Sequence, residues 1–128
     1  MRLLLDTHTF LRFILDDPRL SPAARAMLID PANELLLSPA SYWEIAIKVS
    51  LGKYTVPSEF AEFMDAQVRE NRLTILPIAI GDVAEVATLP FHHRDPFDRL
   101  LVGQALVEKV PIVSTDPAFD AYGIVRMW

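Results

Sequence analysis

Four short, largely apolar runs constrain this chain more than any other feature: residues 2–5 (RLLL), 34–37 (ELLL), 73–77 (LTILP) and 111–115 (PIVST). Near-continuous apolar runs of this length read as strands with both faces buried, as in a parallel sheet covered by helices on each side. Helix signals fill the intervals. Residues 7–15 have helical character, Ser21-Pro22 opens a second helix that closes at Asp30-Pro31, and Ser38-Pro39 starts a third that runs to Leu51 with Gly52 as terminator. Ser58 is expected to cap an amphipathic helix to Asn71, residues 80–88 form another, and residues 96–108 the last long one. A helical turn over 117–122 and a fifth strand over 124–127 complete the chain. Strands alternating with helices at this spacing predict one α/β domain over residues 1–128, three layers deep, with a parallel sheet of about five strands.

Composition narrows the function classes. Hydrophobic residues make up 52% of the 128, yet charges interrupt every apolar run well before the roughly 18 residues of a membrane span. The opening MRLLLDTHTF meets an aspartate too soon to read as a signal peptide. The absence of cysteine excludes disulfides, thiolate zinc sites and cysteine nucleophiles, and fits a cytoplasmic protein. A formal net charge of −5 argues against sequence-independent coating of nucleic acid, though not against a basic rim around an acidic site.

The acids stand at telling positions. Asp6 closes the first strand, Asp116 closes the fourth, Glu44 lies in the second turn of the helix after strand two, and Asp98 lies in the first turn of the helix before strand four. Ligands of open parallel sheets bind at the carboxyl ends of the strands, where strand order reverses. Adjacent first and fourth strands would bring Asp6 and Asp116 together there, within reach of Glu44. In HHRDPFDRLLVGQA, Asp95 suits the N-cap and Pro96 the first helical position, while Asp98 falls between Leu101, Val102 and Ala105 on the apolar side. A carboxylate aimed at a core needs a partner. Each acid also has a plain structural use: Asp6 and Asp116 as caps, Glu44 as the i,i+4 partner of Lys48, Asp98 as an anion at a helix start. Several together would repel unless a cation lay among them, and an oxygen-only donor set favours Mg²⁺ or Mn²⁺ over zinc.

Other residues read as accessories. Thr7, Ser41 and Thr115 stand next to, or one turn from, the acids and are placed to support them. Arg94 and Arg99, with Lys48, Lys53 and Arg12 further out, offer phosphate contacts on the rim. His92 and His93 read as loop residues near the substrate path rather than ligands.

The segments LLLDTHTFL, SPASYWEIAIKVSLGK, LPFHHRDPFDRLLVGQA and IVSTDPAFDAYGI, in this order and spacing, resemble the PIN-domain ribonucleases, and among them the VapC-type toxins of toxin–antitoxin modules. The resemblance implies a five-stranded PIN-like sheet, Mg²⁺- or Mn²⁺-dependent cleavage of RNA, a cognate antitoxin and a homodimer. It assigns the metal-binding and catalytic acids to Asp6, Glu44, Asp98 and Asp116, holding one or two ions. Gly103 stands where alanine is usual. Two rivals compete with this reading. A receiver-like or phosphatase-like domain would use Asp6 as nucleophile, although His8 stands where a phosphatase usually carries a second aspartate. A non-catalytic binding module on the same fold would use its acids only as caps.

Overall fold

The structure is a computed structural model describing residues 1–128. Its elements in chain order are β1 (Arg2–Leu5), α1 (Thr7–Ile14), α2 (Pro22–Ile29), β2 (Glu34–Leu37), α3 (Pro39–Ser50), α4 (Phe60–Glu70), β3 (Leu73–Ile75), α5 (Ile80–Thr88), α6 (Pro96–Glu108), β4 (Ile112–Val113), a 3₁₀ helix (Pro117–Tyr122) and β5 (Arg126–Met127). The strands form one sheet in the order β3-β2-β1-β4-β5, every pair parallel. The chain builds outward from β1 through β2 to β3, then returns to lay β4 on the other side of β1. The order therefore reverses between β1 and β4.

The apolar runs serve two cores at once because successive strand residues point to opposite faces. Leu3, Leu5, Leu35, Leu37 and Val113 join Phe10, Leu28, Ile45 and Met64 on one side of the sheet. Leu4, Leu36 and Ile112 join Leu89, Leu101, Val102 and Phe119 on the other. Each wholly buried leucine is worth about 2 kcal/mol, and a one-residue slip would exchange the two sets. Register is strongly held for that reason.

Helix starts follow the sequence signals with one exception. Ser21, Ser38 and Asp95 cap α2, α3 and α6, each ahead of a proline. Ser58 does not cap α4; that helix begins at Phe60 after Glu59, with no side-chain cap bond. Packing of Phe60, Phe63 and Met64 against the first core holds it instead. The last two strands are shorter than expected, although the Ser114 N–H still donates to Met127 O at 3.0 Å.

Helices α5 and α6 approach closely at Gly103, where an added Cβ would lie 2.5 Å from the Asp82 carbonyl oxygen and 3.2 Å from Val86 Cγ2. The obstruction is backbone and cannot rotate away. Gly103→Ala should therefore lower stability by about 1–3 kcal/mol through forced separation of the helices. Gly81→Ala, on the open side of α5 with nothing within 4 Å, should be neutral or stabilising by up to about 1 kcal/mol. Urea denaturation of the two variants checks the contrast, and equal midpoints would contradict it.

Candidate metal and nucleic-acid site

The site lies where β1 and β4 end. Register pairs Leu4 with Ile112 and Leu5 with Val113, so the next residues, Asp6 and Ser114, face each other on one side of the sheet. Asp6 is only 4% exposed. Its Oδ1 accepts the Thr9 N–H at 2.7 Å as the N-cap of α1, and its Oδ2 accepts a short hydrogen bond from the Ser114 hydroxyl. Thr9 Oγ1 in turn donates to Val113 O at 2.8 Å, which ties α1 to the end of β4. Asp6 is thus a cap, and a buried, doubly held acceptor as well. An acid bound on both oxygens is poorly suited to nucleophilic attack, which weighs against the phosphatase-like rival.

Helix α3 brings in Ser41 and Glu44. Both are buried, Ser41 accepting the Thr7 hydroxyl at 3.1 Å and Glu44 standing 3.6 Å from Lys48 Nζ. The Glu44–Lys48 pair expected for a solvated face is real, but Glu44 is turned inward and is only 5% exposed.

Helix α6 brings in Asp98. Asp95 accepts the N–H groups of Phe97 and Asp98 at 2.8 and 3.3 Å and starts the helix, leaving Asp98 half-buried on its inner side. Burial first, and then the charge of Asp95, lift its carboxyl from the ordinary 3.8 to about 7; Glu44 and Asp6 push the same way, and His93 opposes them. Asp98 therefore senses Asp6 and Glu44 as neighbours. The side chains nonetheless do not form a closed set: no three acids or histidines are gathered tightly enough to hold a bare ion.

Asp116 occupies the margin. Its Oδ1 accepts the Ala118 N–H at 2.9 Å, its Oδ2 lies 2.8 Å from His93 Nε2, and its side chain is 41% exposed. Burial alone pushes this carboxyl up, but the Ala118 N–H, the bond and charge of His93, and the charge of Arg126 together hold it below the usual range.

Three expectations need correction. Arg99 is not a rim residue: it is buried, with its guanidinium donating to the carbonyls of Pro90, Val86 and Leu89 at 3.0, 3.2 and 3.2 Å and lying 4.1 Å from the centre of the Phe91 ring. It straps the 86–93 connection onto α6 and has little left for a phosphate. Thr115 points to solvent, and Ser114 supplies the hydroxyl expected of it, because register and not adjacency to Asp116 decides which side chain meets Asp6. His93 is buried against Asp116, unlike the exposed His92, and nothing in the HisHis pair distinguished them. Arg94 is exposed, as a phosphate contact requires.

A parallel sheet in the order β3-β2-β1-β4-β5, with helices packed on both faces and acids following β1 and β4, is a three-layer α/β fold. The chain belongs to the PIN-domain family, which it matches over residues 3–125. It is 43% identical over 56 residues to Ribonuclease VapC16 of Mycobacterium tuberculosis; the match covers 41% of this chain and about 40% of the length of that curated relative. Its fold is that of VapBC from Salmonella typhimurium, solved bound to DNA, with a TM-score of 0.76 at 16% identity over 99% of this chain and 97% of that one. VapBC2 from Rickettsia felis, bound to a DNA fragment from their promoter, gives 0.75 at 17% identity over 99% and 98%.

Because the folded state favours protonated Asp98, the sign of its pH dependence is fixed. Its effect is absent below about pH 4, where both folded and unfolded carboxyls are protonated, and stability is lost as pH rises toward and through 7. Asp98→Asn should remove this slope and raise stability at alkaline pH by about 2 kcal/mol, a figure halved for solvent screening. Denaturation midpoints of both proteins from acid to alkaline pH, with divalent ions chelated, check it; parallel curves would contradict the assignment.

Proposed function

We propose that this chain is a metal-dependent endoribonuclease, the toxin of a VapBC-type toxin–antitoxin pair, with Asp6, Glu44, Asp98 and Asp116 as its catalytic and metal-binding acids. The observation that carries the reading is the pairing of β1 with β4, which holds Asp6 buried against Ser114 where strand order reverses, with Glu44 buried on α3 and Asp98 half-buried on α6. Caps need no such crowding, and a non-catalytic module would gain nothing from it. Support for RNA as substrate comes from the relative named a ribonuclease, and support for an antitoxin from the VapBC complexes that share the fold.

The residues fit a hard divalent cation. The donors are carboxylates, and the one ammonium beside them is that of Lys48, 3.6 Å from Glu44. When bound, Mg²⁺ or Mn²⁺ supplies charge for a phosphodiester and acidity for a water. The chain's own contributions are separable. Asp6 is a pre-set acceptor that cannot swing, since Thr9 and Ser114 hold it. Lys48 tempers Glu44, and Asp98 carries a proton near neutrality that a cation would displace, so affinity for Mn²⁺ should rise with pH through about 7. Arg94, exposed beside the helix start, is placed to meet a phosphate.

An antitoxin and a second copy of the chain are the proposed protein partners. The chain exposes Leu15, Leu51, Ile80 and Val83, apolar surface of the kind such partners cover. No helix is long and apolar enough to cross a membrane.

Asp6→Asn and Asp98→Asn should each abolish Mn²⁺-dependent RNA cleavage and weaken Mn²⁺ binding in calorimetry, while circular dichroism stays unchanged. Undiminished cleavage by either variant would remove that residue from the site. The two arginines should separate cleanly. Arg94→Ala should weaken RNA binding and flatten its salt dependence at unchanged stability. Arg99→Met should instead cost about 2–4 kcal/mol in urea denaturation, because it strands buried carbonyls. The reverse pattern would restore Arg99 to the substrate path.

A further inference from the structure

His93 belongs to no role assigned so far, yet both of its ring nitrogens and its backbone N–H are engaged. The backbone N–H donates to the Tyr122 hydroxyl at 2.8 Å, and the same hydroxyl lies 3.0 Å from Nδ1. A phenol has one proton. Where the Tyr122 oxygen, accepting from the backbone, gives its own proton to Nδ1, that nitrogen is the acceptor of the pair. The ring proton is left on Nε2, 2.8 Å from Asp116 Oδ2. Packing keeps the ring from turning over: it is 8% exposed, stacked on Tyr122 with planes 8° apart, and 4.6 Å from the Phe119 ring centre.

The chain of bonds continues beyond Asp116. The Asp116 backbone N–H donates to Ser114 Oγ at 3.0 Å, and the Ser114 hydroxyl donates to Asp6 Oδ2. Tyr122, His93, Asp116, Ser114 and Asp6 thus form one continuous hydrogen-bonded line linking the acid of the first strand to that of the fourth. Capping the 3₁₀ helix uses only Asp116 Oδ1. Nothing in that structural use requires a buried histidine on Oδ2, where His93 fixes the second oxygen of a partly exposed carboxylate.

We propose that His93 is a positioning residue: held as its Nε2–H tautomer by Tyr122, it donates to Asp116 and keeps that carboxylate in one orientation beside Asp6. The role rests on the proposed nuclease reading of the site. It acts through Asp116 and requires no contact of His93 with RNA.

Three variants test it in the full chain. His93→Leu keeps bulk against Phe119 and removes the donor; His93→Gln restores a donor near the place of Nε2; Tyr122→Phe removes only the hydroxyl that selects the tautomer. Nitrogen-15 NMR of the histidine rings at alkaline pH, without metal or RNA, should show wild-type His93 as the Nε2–H tautomer and Tyr122→Phe as a mixture. In Mn²⁺-dependent cleavage of a single-site RNA, His93→Leu should lose roughly 10- to 100-fold in kcat with KM nearly unchanged, and His93→Gln should recover most of it. A wild-type ring protonated on Nδ1 overturns the proposal. So does a His93→Leu enzyme of full kcat, or one that His93→Gln fails to improve upon. If His93→Leu does not fold, Tyr122→Phe carries both measurements, a shifted tautomer with lowered kcat supporting the role and an unshifted one ending it. A wild-type protein that cleaves no RNA refutes the nuclease reading and, with it, the positioning role given to His93; active wild type with active His93→Leu refutes only the role of His93.

Discussion

Parallel pairing of β1 with β4 is the constraint on which the site depends. Leu4 and Leu5 lie beside Ile112 and Val113, and the two residues that follow, Asp6 and Ser114, are thereby set across from each other. The pairing is held from both faces of the sheet, since Leu4 and Ile112 belong to one core while Leu5 and Val113 belong to the other. Sliding β4 by one residue would exchange its core residues between the two faces and present Thr115 to Asp6. Hydrophobic burial worth several kcal/mol thus guards a single hydroxyl-to-carboxylate contact.

Charge at this edge is arranged unevenly. Asp6 and Asp116 are satisfied by backbone N–H groups, a serine and a histidine, and Glu44 has Lys48. Asp98 has no cation of its own, and burial beside other acids lifts its carboxyl to about 7. Arg99, one residue on, faces the other way and clamps the connection that carries His93. Adjacent residues at one helix start therefore set a chemical group and the scaffold that supports the opposite wall.

Much of this was legible from the chain alone. The apolar runs specify buried parallel strands because nothing polar interrupts them, and the Ser-Pro and Asp-Pro pairs specify three helix starts through local capping. Asp98 could be placed on the inner side of α6 from helical periodicity. Ser58 misled because capping is worth only about 1 kcal/mol and packing of three large side chains of α4 outweighs it. Arg99 misled because an arginine on a helix is commonly solvated, and the carbonyls that capture it belong to a connection whose path the sequence does not display.

Local order along the chain determined the strands, the helices, the acids that end or begin them, and the family to which the chain belongs. These are matters of periodicity and capping, readable over a few residues. Only the tertiary structure decided that Ser114 and not Thr115 meets Asp6, that His93 and not His92 turns inward to Asp116, and that Tyr122 closes the line behind it. Those choices depend on the relative register of strands separated by more than a hundred residues and on the path of a connection, and cooperative burial of two cores settles them after every local preference has been satisfied.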